Sequence, residues 1–336
     1  MTAKHSRLHA WTLLLLLAAT STTLAADQPT GILAKGTPFA TPYYVQDSGQ
    51  PGPTMMITGG VHGNEPAGAY AAEQIRHWKI HRGKVIVVPR SNVPALNINK
   101  RYTPEIAEEL KNLNRNFPRT GMKEPPRGVL ATSIWELVKK HQPQWLVDLH
   151  EGYDFNRINS KSVGSTIISS RTPASHEATA LMLAALNVTI EQENKKFRRR
   201  GPPIDSSLAR AANEHLGIES LILETTFKEQ RLPKRARQHR IMMHRLMTHL
   251  NMLDKNVRVE TVAATVQPPK TLRIAVYDAP GTAGAGIPKL HEHFHRQTSI
   301  QLIRVSPADI AAGILDQFQL VIFSGGSGSA QSKSLG

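Results

Sequence analysis

The 336-residue chain contains no cysteine. That excludes disulfides, a thiolate nucleophile and any Cys-ligated metal, so a metal here must sit on His, Asp or Glu. Aromatic side chains are scarce, at 5%. Base stacking needs a platform of them, so nucleic acid is not an expected partner. No apolar run reaches the ~20 residues of a membrane-spanning helix. Acidic residues are outnumbered, 26 Asp and Glu against 41 Lys and Arg, which leaves a net charge of +15. Such a surface attracts anionic partners, carboxylate substrates and envelope polymers among them. The apolar (40%) and charged (20%) fractions are ordinary for a globular protein, which excludes disorder of the whole chain.

What is present begins with a leader. Lys4, His5 and Arg7 precede the apolar run Trp11–Ala19, and small residues follow up to Ala25-Ala26-Asp27. A basic start, about nine apolar residues and a small-residue cut site describe a secretory signal peptide over residues 1–26, cleaved after Ala25 or Ala26. The expected location is periplasmic or secreted. With the leader removed, no transmembrane segment is expected.

From Asp27 to Asp254 short apolar runs alternate with helical patterns. Strands are expected at Met55–Val61, Lys84–Pro89, Trp145–Leu149 and Ile218–Thr225. Helices are expected at Ala67–Trp78, toward His141 with Ser133-Ile134-Trp135-Glu136 opening or strengthening it, at Ser206–Leu216 with Gly217 as its stop, and at Arg231–Leu253. Strand–helix–strand units of this kind predict an α/β domain, a mixed open sheet with helices on both faces. Lys255–Lys270, poor in large apolar residues and ending in two prolines, reads as a linker. Residues 271–336 carry three strand-like runs, Leu272–Tyr277, Ile300–Val305 and Gln319–Phe323, and read as a partial flavodoxin-like α/β unit.

Four short segments carry chemistry. In Gly59-Gly60-Val61-His62-Gly63-Asn64-Glu65-Pro66 an imidazole and a carboxylate flank a glycine turn between a strand and a helix, where both can aim at one point. A third ligand should come from another strand end, and Trp145–Leu149 runs directly into His150. Two His and one Glu leave a zinc position open, the arrangement of a catalytic site. Glu224 is a lone carboxylate inside the apolar run Leu221–Thr225, which makes it a candidate proton-transfer group, with Glu151 as the substitute. Arg115, between Asn114 and Asn116, suits a bidentate grip on a carboxylate. The basic run from Lys195 to Arg200, beside Gly201-Pro202-Pro203, reads as a solvated loop near the site mouth that attracts acidic substrates.

In order, HGNE (62–65), NLNRNFP (112–118), DLHEG (148–152) and LILET (221–225) resemble the zinc carboxypeptidase family, most closely the branch of succinylglutamate desuccinylase and aspartoacylase. The resemblance covers about residues 50–230. It implies one zinc per chain on His62, Glu65 and His150, Glu224 as general base, Arg115 with Asn114 for the substrate carboxylate, and Arg101 to polarise the scissile carbonyl. One departure is Asn112, where the family has an aspartate. Residues 271–336 resemble the opening of a class I glutamine amidotransferase-like domain, without its nucleophile. The expected function is zinc-dependent hydrolysis of an amide next to a carboxylate-bearing group, carboxypeptidase-like on small anionic peptides such as peptidoglycan fragments. An N-acyl amino acid deacylase is the nearest alternative. A non-catalytic module that binds the envelope is an alternative of another class.

Overall fold

The structure, a computed structural model, describes residues 28–261, 272–279, 281–282, 285–294, 300–311, 313–318 and 320–335. The expected signal peptide and the later part of the expected linker, 262–270, lie outside the described residues.

Eight strands form one sheet: β1 (Gly31–Leu33), β2 (Thr41–Asp47), β3 (Thr54–Gly59), β4 (Lys84–Val88), β5 (Trp145–Gly152), β6 (Thr166–Ser169), β7 (Arg198–Arg200) and β8 (Glu219–Thr226). Their spatial order is β1-β2-β4-β3-β5-β8-β6-β7. The central β4, β3, β5 and β8 run parallel, while β2 and β6 run antiparallel to their inner neighbours. The central strands are apolar because they are buried on both faces.

Alternation along the strands sorts side chains between two helical layers. Met55 and Ile57 of β3, Val147 and Leu149 of β5, and Leu221 and Leu223 of β8 face α1 (Pro66–Ile75), α4 (Pro173–Asn187) and α6 (Leu232–His249). Met56, Leu146 and Ile222 face α3 (Val129–His141) and α5 (Leu208–Leu216). A sixth helix of this unit, α2, spans Val93–Asn97. The period of two therefore also decides where polar residues go: His150 and Glu224 share a face with Leu146 and Ile222, and Glu151 points to the other.

Local signals set several boundaries. Pro66 opens α1 at its first position, where its missing N–H costs nothing. Ser207 caps α5 through the Arg210 N–H at 3.2 Å, and Gly217 ends it in the left-handed conformation. Three expectations need correction. Helix α3 starts at Val129, behind Gly128, so Ser133 and Glu136 lie inside the helix and do not open it. The basic run is not a loop throughout, since Arg198–Arg200 pair with β6 as an edge strand. The linker does not begin at Lys255: Val257 is buried in the core, Trp78 Nε1 donates to the Thr261 carbonyl at 2.7 Å, and Arg240 Nε to that of Val259 at 2.9 Å.

In the C-terminal region β9 (Leu272–Tyr277) lies between β10 (Ile300–Val305) and β11 (Leu320–Phe323), parallel to both, with α7 (Gly286–Phe294), α8 (Pro307–Ala311) and α9 (Gly328–Leu335) alongside. Leu272, Leu320 and Phe323 are exposed there. Among the described residues, no helix is long and apolar enough to cross a membrane.

Candidate metal centre and its cavity

The chain leaves β3 through Gly60, at φ +69°, and reaches His62 before Glu65 caps α1. Only glycine fits at position 63, because a Cβ there would lie 2.0 Å from the Ala95 carbonyl. The Ser91 and Asn92 N–H groups hold the start of the turn at 2.8 and 3.1 Å from the Gly59 and Gly60 carbonyls. His150 comes from β5, one strand over, and all three side chains are buried.

Candidate ligand atoms of His62, Glu65 and His150 lie within 4.8 Å of one another. Glu65 sits between the imidazoles: Oε1 is 2.8 Å from His62 Nδ1, and Oε2 is 2.7 Å from His150 Nδ1. The far nitrogens are held by oxygen acceptors. Asp148 Oδ2 is 2.7 Å from His150 Nε2, and Asn112 Oδ1 is 3.1 Å from His62 Nε2. Asp148 is itself fixed by Thr58 Oγ1 at 2.7 Å. With oxygen acceptors behind both rings, each Nδ1 is aimed at the point they share, the outer-shell arrangement of metal-ligating histidines. This donor set fits a divalent cation such as zinc.

Electrostatics agree. Burial alone would raise the Glu65 pKa, but His62 and His150 outweigh it and hold it well below the usual carboxylate range. Burial would lower that of His150, yet Asp148 and Glu65 hold it well above the usual value. A buried carboxylate held ionised beside a buried imidazole held protonated can exchange that proton for a metal ion.

Glu224 is paired in register with His150 across β5 and β8. It is 7% exposed, its Oε2 has no hydrogen-bond partner among the described residues, and burial pushes its pKa up to about 8. An unpartnered buried carboxyl oxygen at the wall of a cavity is what a proton-transfer group looks like. Glu151 is unavailable as a substitute: its Oε2 accepts the Ala67 N–H at 2.7 Å, and its Oε1 pairs with Arg235 on the opposite face.

These groups open into a cavity of about 750 Å³, lined by His62, Glu65, His150 and Glu224 together with Arg101, Asn114 and Arg115. All seven residues singled out in the sequence meet there. Arg101 is partly exposed and donates from Nη1 to Glu65 Oε1 at 2.6 Å. Arg115 has no carboxylate partner among the described residues. Asn114 divides its amide between His150 Nε2, at 3.4 Å, and the Leu208 N–H, at 3.0 Å, which ties it to α5 as well as to the cavity. Tyr153, Lys161 and Phe227 also line the cavity and carry no signal in the sequence, whereas Arg200 belongs to the basic run expected near the mouth.

Residues 51–250 match the succinylglutamate desuccinylase/aspartoacylase catalytic domain. The chain belongs to this family of hydrolases, as the ordered motifs suggested. A 70-residue stretch is 39% identical to the N-alpha-acetyl-L-2,4-diaminobutyric acid deacetylase of Halomonas elongata, over 20% of each chain. The tripeptide-bound cell shape determinant Csd4 of Helicobacter pylori aligns with a TM-score of 0.54 at 18% identity, covering 70% of this chain and 66% of that one. The mDAP-bound form of Csd4, a D,L-carboxypeptidase, gives 0.51 at 19%, covering 69% and 64%. The match thus spans a fifth of the deacetylase's length and just under two thirds of Csd4's. At these identities the likeness to Csd4 is one of fold.

Proposed function

We propose that the protein is a zinc-dependent hydrolase that cleaves an amide bond next to a carboxylate-bearing group, carboxypeptidase-like on small anionic peptides such as peptidoglycan fragments. The observation that carries this reading is the convergence of His62, Glu65 and His150 on one point beside Glu224. The two histidines through Nδ1, and Glu65 through its carboxylate, would hold one zinc per chain. Zinc supplies Lewis acidity and lowers the pKa of a water at the site. Arg115, with Asn114 beside it, grips the substrate carboxylate and so fixes which amide lies at the centre. Glu224 accepts the proton of the attacking water and passes it to the leaving nitrogen. Arg101 contributes positive charge for the carbonyl oxygen as it becomes anionic.

Cavity size supports a peptide. At about 750 Å³ it falls in the upper part of the range of ligand pockets, more space than a single acylated amino acid fills. The basic leader supports a periplasmic or secreted location, where envelope peptides are met. Family membership and the local identity to a deacetylase favour a second reading, an N-acyl amino acid deacylase. Purified zinc-loaded protein tested against N-acyl amino acids, C-terminal dipeptides and muropeptides separates the two. The peptide reading expects turnover confined to the last two sets, and cleavage of N-acyl amino acids alone contradicts it. Binding of envelope material without zinc, with no turnover in any set, would instead support the non-catalytic module.

A further inference from the structure

The cavity holds more cations than the proposed reaction uses. Its carboxylates are Glu65, held by His62, His150 and Arg101; Glu151, held by Arg235; and Glu224. Arg115, Lys161 and Arg200 also line it, and none of the three pairs with a carboxylate among the described residues. Within the basic run, Lys195 and Lys196 are paired with Glu229 and Glu193, but Arg200 is not.

Sheet register shows where Arg200 stands. It pairs with Ile168 of β6, and Ile168 pairs with Ile222 of β8. All three side chains line the cavity, so they form one row: an apolar floor of Ile222 and Ile168 that ends at a cation. Glu224 lies two residues along β8 from Ile222, on the same face. Two strand spacings separate β8 from β7, or about 10 Å. Lys161 belongs to the same wall, because its loop is tied to the approach to β7 by Arg157 Nε donating to the Lys196 carbonyl at 3.1 Å. That loop is a built element: Asn156 Nδ2 donates to the Ser162 carbonyl at 2.5 Å, and Ser162 Oγ accepts the Asp154 N–H at 2.9 Å. Arg101, bonded to Glu65, lies at the opposite end of the cavity from β7, across β5 and β8, and Arg115 is close enough to Arg101 for that charge to depress its own pKa, after burial.

We propose that Arg200 and Lys161 form a second anion subsite, which reads an acidic group on the acyl side of the substrate about 10 Å across the sheet from the strand of Glu224, three residues of extended chain. This rests on the reading of the protein as a peptide hydrolase: with the leaving part's carboxylate on Arg115, the acyl part runs the other way, over Ile222 and Ile168. The preferred substrate is an acidic peptide with two separated carboxylates and a small or apolar stretch between them.

The test uses two peptides identical except for Glu or Gln at the third residue on the acyl side of the cut. Binding is measured calorimetrically on zinc-loaded protein with non-cleavable versions, in which a methyleneamino group replaces the scissile amide. The Glu peptide should bind about tenfold more tightly, the order of an exposed charge contact that adds a charge-assisted hydrogen bond. In Arg200→Gln and in Lys161→Gln the ratio should fall toward 1, and in wild type it should shrink with added salt. Both residues are exposed, and circular dichroism checks each variant's fold. Equal binding of the two peptides by wild type, or a preference that neither substitution alters, overturns the subsite. Cleavage of the ordinary amide peptides is read separately: a tenfold binding ratio without turnover removes the hydrolase reading and leaves the subsite standing.

Discussion

Glu224→Gln separates proton transfer from metal binding, and the structure gives magnitudes for both halves of its effect. The side chain is 7% exposed, has an unpartnered Oε2, and burial pushes its pKa from 4.5 to about 8. In metal-free protein the native state therefore keeps a proton that the unfolded chain releases above pH ~4.5. Stability contributed by this group is fully present below that pH and is lost as pH rises through about 8. The gap corresponds to an upper bound on the order of 4–5 kcal/mol. Glutamine cannot ionise, so metal-free Glu224→Gln should gain stability relative to wild type as pH rises from 5 to 8, read by urea denaturation at each pH. In zinc-loaded protein the same variant keeps its metal, because Glu224 is not one of the three converging ligands. Turnover should fall by roughly 10²–10⁴, the usual worth of a positioned acid–base, with little change in KM. Wild-type turnover in the variant, or a stability difference that stays flat with pH, would refute the reasoning from burial to chemistry.

Other outcomes follow from the same geometry. Asn112→Asp should place a charged acceptor 3.1 Å from His62 Nε2 and tighten zinc by roughly tenfold, with Asn112→Ala weakening it, as competitive chelator titration would show. An unchanged affinity in both variants means that Asn112 does not orient His62. Arg115→Ala should raise KM for carboxylate-bearing substrates by about 10–100-fold while kcat falls less, since its proposed work is gripping a charged group. Equal KM values for the substrate and its carboxamide in wild type would contradict that role. A chain ending after Thr261 should bind zinc with unchanged stoichiometry, because every residue of the metal centre precedes it and Val257 to Thr261 complete the core; loss of zinc from this chain shows that the later elements support the site.

Much of the centre was legible because each of its parts is local. A parallel strand that ends in a glycine turn announces itself as an apolar run followed by Gly59-Gly60, and the ligand must lie just beyond it. His150 likewise ends an apolar run, and Glu224 interrupts one. The Asp148–His150 spacing of two puts both residues on one face of β5, so even the outer-shell acceptor could be read from the chain. Less could be read where structure depends on partners distant in sequence. Arg200 comes into one row with Ile168 and Ile222 only because β6 inserts antiparallel between β8 and β7, an order that no local pattern encodes. Glu151 and Glu224 are both carboxylates in apolar strands, and only their opposite faces distinguish an anchor for Arg235 and the α1 N-terminus from a carboxyl with an unpartnered oxygen. Helix α3 starts behind Gly128, at φ +78°, without a side-chain cap, so its start lacks the usual signal. The polar tail 255–261 reads like a linker because, Val257 apart, much of what holds it is backbone carbonyls that accept from Trp78, Arg240 and His244.

The central claim is that His62, Glu65 and His150 hold one zinc ion for amide hydrolysis. Anomalous diffraction at the zinc edge from crystals of zinc-loaded protein tests it most directly. The account predicts a single peak per chain, about 2.0–2.2 Å from Nδ1 of both histidines and from the Glu65 carboxylate, which is absent from crystals of His62→Ala grown alongside. A peak elsewhere on the chain, or one that persists unchanged in His62→Ala, would contradict it.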